Sequence, residues 1–271
     1  MHLPFVFAIT AALAQLTAGH YIFSKLVLNG EVSDDWQYIR ETTRDKCYMP
    51  TKFSSTFDNL TPSDPDFRCN LGSFTNAAKT EVANVAAGDT IAMKLFYDGS
   101  IAHPGPGQVY ISKAPSGSVQ EYEGDGEWFK IWETTICDES GDLTTDAWCA
   151  YGLSEFEFQI PENTPAGEYL VRAEHVGLHA VLKSRSRVLE AWAPDITYSI
   201  PGLYDDSMTL FNGLSVWTDS VDTIKSDIAN TPIGDEVWSG GSARDSSVSS
   251  SSASTSATPG AGAKFTCGRS D

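Results

Sequence analysis

"EFEFQIPENTPAGEYLVRAEHVGLHAV", residues 155–181, decides the fold. "FEFQI" alternates apolar and polar side chains, as a strand with one wet face does, and "YLVRAEH" repeats the alternation. Pro161, Pro165 and Gly167 separate them, in a stretch that can continue neither a helix nor a ladder. The two runs read as half-buried strands of a hairpin pair. The pattern extends upstream. "YIFSKLVLNG" (21–30) alternates and ends in Asn-Gly, a hairpin turn signal. "TEVANVAAGDTIAMKLFYDGS" (80–100) reads as strand, Gly-Asp turn, strand, and "QVYISKAP" (108–115) adds another. Long amphipathic helical windows are scarce. Many short strands with Pro/Gly turns predict an all-β, antiparallel β-sandwich.

The ends read differently. Residues 1–19, "MHLPFVFAITAALAQLTAG", carry a short apolar run and then Thr17, Ala18 and Gly19, which fits a secretory signal peptide although Lys and Arg are absent from its start. The run is too short to span a bilayer, and no later stretch supplies a span. The mature chain is therefore expected to be secreted and to begin at His20. Residues 20–239 read as one domain. Residues 240–271 are rich in Ser, Thr, Gly and Ala, cannot bury a core, and read as a disordered tail.

The formal net charge of −18 argues against nucleic acid and anionic membranes as partners. A neutral polymer meets no such repulsion. Of the five cysteines, Cys137 and Cys149 flank one acidic loop, "CDESGDLTTDAWC", and are expected to bridge it. Cys47 and Cys69 could close another loop, and the odd count leaves one thiol over. No pair has the Cys-x-x-Cys spacing of a zinc site. Asn59-Leu60-Thr61 is a permitted glycosylation site.

The mature chain holds four histidines: His20, His103, His175 and His179. A terminal histidine offers its α-amine and its ring Nδ1 to one metal ion. His103, in the rigid loop "IAHPGPGQVY" (101–110), would add a third nitrogen. Three such nitrogens in a T shape suit tetragonal Cu(II) better than tetrahedral zinc. The α-amine has an ordinary pKa near 8, so copper displaces its proton readily.

His20 at the cleavage point, "DWQYIR" (35–40), "IAHPGPGQVYIS" (101–112), "GEWFKIWE" (126–133), "IPENTPAGEYLVRAEHVGLH" (160–179) and "IPGLY" (200–204) resemble the fungal lytic polysaccharide monooxygenases of auxiliary activity family 9. The resemblance implies an immunoglobulin-like β-sandwich whose long loops form a flat face. It implies one copper ion per chain, held by His20 and His103, and His179 beside it, hydrogen-bonding oxygen species. It further implies oxidative cleavage of cellulose or a related β-glucan, with an external electron donor and dioxygen or hydrogen peroxide as partners, in a monomeric protein. Tyr21, Trp36 and Tyr204 are the expected sugar-stacking rings. His175, four residues before His179 on the same expected strand, reads as a structural histidine.

The resemblance breaks over 183–195. The best register puts Arg187 where the family has Gln, Leu189 at its axial Tyr and Trp192 at its Cys. That change removes the usual partner of Cys69 and favours a Cys47–Cys69 bridge. Tyr198 is a candidate axial substitute. The departure also motivates an alternative function, a non-catalytic copper-binding protein of the same descent. A two-carboxylate hydrolase has no motif to support it.

Overall fold

A computed structural model describes residues 21–45, 60, 64–178, 198–200, 203, 214–231, 233, 236–238 and 268–270; for 198, 199 and 268–270 only the backbone is considered. The expected signal peptide and most of the expected tail lie outside these residues. The described chain forms two sheets. The first contains β1 (Phe23–Leu28), β2 (Glu31–Val32), β3 (Thr90–Leu95) and β6 (Glu155–Gln159), in the order β2-β1-β3-β6. The second contains β4 (Gly107–Lys113), β5 (Glu127–Thr134), β7 (Tyr169–His175), β8 (Tyr198–Ser199) and β9 (Gly268–Ser270), in the order β8-β5-β4-β7-β9. Every pairing is antiparallel except that of β7 with β9. The all-β sandwich expected from the alternation is the architecture found. The helical content includes one α-helix, α1 (Val221–Ala229), capped by the Ser220 side chain on the Thr223 amide.

The hairpin signal in "LVLNGEV" is met directly. Asn29 and Gly30 both take positive φ, 53° and 79°, and Leu28 pairs with Glu31 across them. A two-residue loop with both φ positive has the twist that joins antiparallel strands without splaying them. The core between the sheets draws Phe23 and Leu26 from β1, Met93 and Leu95 from β3, Phe156 and Phe158 from β6, and Val171 and Ala173 from β7.

Three local expectations are corrected. The runs 155–159 and 169–175 are both strands, but they do not form a hairpin: β6 pairs with β3 and β7 with β4, in different sheets. The Pro- and Gly-bearing connector carries the chain from one layer to the other. β6 has the wet face its alternation implies, whereas β7 is buried along its whole length. A second apolar layer explains this. Leu170 and Tyr110 pack with Phe67, Trp128, Trp148 and helix residues Ile224 and Ile228 on the outer side of the five-stranded sheet. Residues 81–86, expected as a strand, stay outside both sheets. Their Ala83 and Val85 are nonetheless in the core, and the Ala86 amide is taken by the Asp89 carboxylate rather than by a neighbouring strand.

Within the stretch expected as a tail, the backbone of Gly268–Ser270 pairs in parallel with Ala173–His175. The backbone donors and acceptors along a strand's edge can be met by any extended segment without burying side chains. Composition alone forbids a packed core in this tail but does not forbid an edge strand.

Candidate functional site

One end of the sandwich collects the residues of interest. β1 begins there and β3 ends there, since Phe23 pairs with Leu95. β4 begins there and β7 ends there, since Gly107 pairs with His175. The loop between β3 and β4 carries His103. It is fastened to the chain beyond β7: the Val176 amide donates to Pro106 O at 2.9 Å and the Leu178 amide to Pro104 O at 2.8 Å. Gly105, at φ 149°, makes this approach possible; a Cβ there would stand 1.8 Å from Val176 O. The glycine is fixed by close packing of two backbones. The prolines hold the flanking φ values, so the loop is rigid on both counts.

His103 is half-buried and its ring lies 5.5 Å from that of Tyr21. The Tyr21 ring is also 5.7 Å from that of His175, and the Tyr21 hydroxyl shares a 3.0 Å hydrogen bond with His175 Nδ1. His175 is fully buried. Tyr21 belongs to the chain entering the first sheet and His175 to the second, so this bond ties the layers together beside the His103 loop. The expected sugar-stacking role of Tyr21 is corrected here. The side chain is 4% exposed and packs beside the two histidines. The sequence signal for this was present but ambiguous: an aromatic residue beginning a strand reads equally as platform or as packing.

Trp36 is half-buried, packs against the core and supports Phe96 with ring centroids 5.6 Å apart. It is thus a buttress more than an open platform. His20, His179, Arg187, Tyr204, Cys47 and Asn59 lie outside the described residues, as do Leu189 and Trp192. β7 ends at His175, so the expectation that His175 and His179 share one strand is not met within the described chain. Only the backbone of Tyr198 is described, in β8. Cys137 and Cys149 form the expected disulfide. Cys69 is disulfide-bonded too. Among the described residues, no group of three or more His, Cys, Asp or Glu side chains could hold a metal ion. Of the three expected donors, only the ring of His103 is described.

Behind the site lies a polar layer that the alternation did not reveal. Arg172 and Glu174, both fully buried on β7, form an ion pair at 2.7 Å. Arg172 Nε donates to Arg68 O at 2.8 Å, and the guanidinium lies 5.7 Å from the Tyr110 ring centre. The Tyr110 hydroxyl donates to Gln108. A buried charge pair survives only when its remaining polar atoms are met, and here the Arg68 carbonyl and the Tyr110 ring face contribute. Farther off, burial pushes Arg40 down to about 10, the nearby Glu123 opposing the shift. Arg40 Nη2 donates to Val119 O and Tyr122 O, both at 2.7 Å, and so braces that loop.

Comparison with known proteins gives a consistent result. The model of Auxiliary Activity family 9 (formerly GH61) matches residues 20–187. The AA9 family lytic polysaccharide monooxygenase D of Emericella nidulans is 45% identical over 218 residues, spanning 76% of this chain and 75% of that protein. The AA9 family lytic polysaccharide monooxygenase A of Aspergillus fumigatus is 40% identical over 250 residues, spanning 88% and 83%. Among solved structures, a cellulose-active polysaccharide monooxygenase from M. thermophila superposes with a TM-score of 0.52 at 24% identity, covering 74% of this chain and 92% of that one. At that identity the superposition speaks for the β-sandwich alone.

Proposed function

The chain belongs to auxiliary activity family 9, whose members cleave polysaccharides oxidatively with copper, and on that premise we propose that it acts on cellulose or a related neutral β-glucan through one copper ion held by His20 and His103. The observation that carries the site is the approach of the Tyr21 ring to His103 at 5.5 Å. Residue 20 is one peptide bond from Tyr21, and consecutive Cα atoms are about 3.8 Å apart. A ligand at position 20 therefore starts within reach of the His103 loop. Covalent reach also brings residue 179 to that loop, because Leu178 is hydrogen-bonded to Pro104. The donor set suits the metal. His103 would offer an imidazole nitrogen on a loop that packing has already fixed, and a processed His20 would add an amine and an imidazole.

Copper, when bound, supplies the one-electron chemistry that activates dioxygen or hydrogen peroxide in the presence of an external electron donor. The protein residues do the rest. His103 contributes a ring whose position costs little to organise, since Gly105 and the two backbone hydrogen bonds have set it. Tyr21 and His175 hold the entry of β1 at a fixed distance from β4 and β7. On the family resemblance, His179 would hydrogen-bond the oxygen species, and Arg187 would add a positive charge nearby. A cation there favours anionic species at the site. Tyr204 would present a ring to sugar. The domain is taken as 20–239, secreted after removal of 1–19 and monomeric, with the Cys47–Cys69 bridge and Asn59 glycosylation as further elements. The relatives matched over most of the chain carry monooxygenase names, which leaves the non-catalytic copper-binding alternative without support.

Calorimetric titration of the processed protein with Cu(II) tests the site. One tight site is expected, lost in His103→Ala and weakened when an extra residue precedes His20. Mass spectrometry of products from cellulose with a reductant tests the reaction, and a lack of oxidised oligosaccharides would count against the substrate.

A further inference from the structure

At the same end of the sandwich, β3 runs into a tight turn over Phe96–Asp98. Tyr97 in that turn has φ 55° and ψ 30°, and Asp98 has φ 49°. Two successive residues with a Cβ in the left-handed region are unusual. Glycine takes that region freely and asparagine tolerates it, whereas a bulky aromatic residue is strained there. The strain is not repaid by burial, because Tyr97 is 76% exposed, the most open of the large hydrophobic side chains among the described residues. Its ring rests on Phe96 with centroids 3.8 Å apart, and Phe96 rests on Trp36. Trp36 itself sits at φ 64°. Three rings thus run from the edge of the core to solvent, with the outermost held up by strained backbone.

The turn is tied to the site. The Phe96 amide donates to Ile22 O at 2.9 Å, and Ile22 adjoins Tyr21. A turn whose only task was to link β3 to the His103 loop would be better served by glycine at 97. Backbone strain retained at an exposed position marks a function for the side chain. We propose that Tyr97, backed by Phe96 and Trp36, is a carbohydrate subsite that receives the face of a pyranose ring in a neutral β-glucan chain, a reading that rests on the proposed substrate. An equatorially substituted pyranose presents a flat face of C–H groups, which suits an aromatic face, and its rim of hydroxyls suits the exposed carboxylate of Asp98. The formal charge of −18 disfavours an acidic polymer in its place.

Adsorption to microcrystalline cellulose, measured without reductant so that no chemistry intervenes, tests the proposal. Tyr97→Gly removes the ring and relieves the strain together. It should weaken adsorption by about three- to tenfold, with a thermal midpoint equal to or above that of the wild type. Tyr97→Trp should restore adsorption. The Cu(II) electron paramagnetic resonance spectrum should be unchanged in both. Tyr97→Gly adsorbing like the wild type would overturn the subsite. So would a fall in thermal midpoint, since that assigns the ring to stability. Wild-type protein that adsorbs to no β-glucan would instead overturn the substrate reading, and this subsite with it.

Discussion

Two loops of similar size differ in what holds them. The loop between Cys137 and Cys149 takes most of its shape from its own sequence, with Lys225 on Glu139 and the packing of Trp148 as ties to the rest. The disulfide joins its ends, Asp138 accepts from the Ser140 amide and hydroxyl, Asp142 accepts likewise from Thr144, and Asp146 accepts from the Asp142 amide. Every one of these partners lies within the loop. The His103 loop is held from outside. Pro104 and Pro106 are fastened to Leu178 and Val176, seventy or more residues on, and Gly105 lets that segment beyond β7 approach. A locally closed loop can be altered with local consequences. A loop held by a distant backbone transmits any change to the element that holds it, here the end of β7 and the start of β4. The site uses the second kind, and that arrangement gives His103, the proposed ligand, a fixed position.

The largest effect is expected at Gly105. Gly105→Ala drives a Cβ against Val176 O, so the two backbones must part and both hydrogen bonds weaken. Chemical denaturation should show a loss of about 3 kcal/mol. The copper Kd should rise by about tenfold, equal to about 1.4 kcal/mol. A neutral substitution would mean that the loop is held locally after all.

A smaller effect is expected at the bond between the layers. His175→Phe leaves the buried Tyr21 hydroxyl without that partner, which should cost about 1–3 kcal/mol. Tyr21→Phe completes a double-mutant cycle, and a coupling energy of about 1 kcal/mol is expected for two groups in direct contact. Coupling within about 0.3 kcal/mol of zero would show that the layers are held at this end without that bond. The same variants should shift the Cu(II) resonance parameters if the bond also sets the approach of residue 20 to His103.

The smallest effect belongs to the locally closed loop. Hydrogen bonds from Ser140 hold the Asp138 carboxyl below its usual range, and those from Thr144 do so for Asp142. A carboxyl whose folded pKa is depressed contributes stability that is present above its unfolded pKa and is lost as pH falls through the folded one. The window therefore opens below about pH 4. Asp138→Asn with Asp142→Asn should flatten the acid loss of stability below that point. The copper affinity at neutral pH should stay unchanged. A changed affinity would couple the two loops and remove the contrast between them.

Sequence by itself determined what depends on neighbours in the chain. The alternation in 155–159 gave a half-wet strand, Asn29-Gly30 gave its hairpin, and the spacing of Cys137 and Cys149 gave their bridge. His103 in its Pro/Gly loop was legible as a ligand candidate because rigid loops declare themselves in composition. Tertiary structure alone decided what depends on distant partners. The alternation in 169–175 could not disclose that both faces of β7 are covered, because the covering layer comes from elsewhere in the chain. The partner of Gly105 lies beyond β7, and no local pattern names it. Tyr21 and Tyr97 read alike as aromatic residues beside strands. Packing buried one beside two histidines and left the other in solvent on a strained turn. Side-chain chemistry is written residue by residue, whereas burial is a property of what the rest of the chain brings against it.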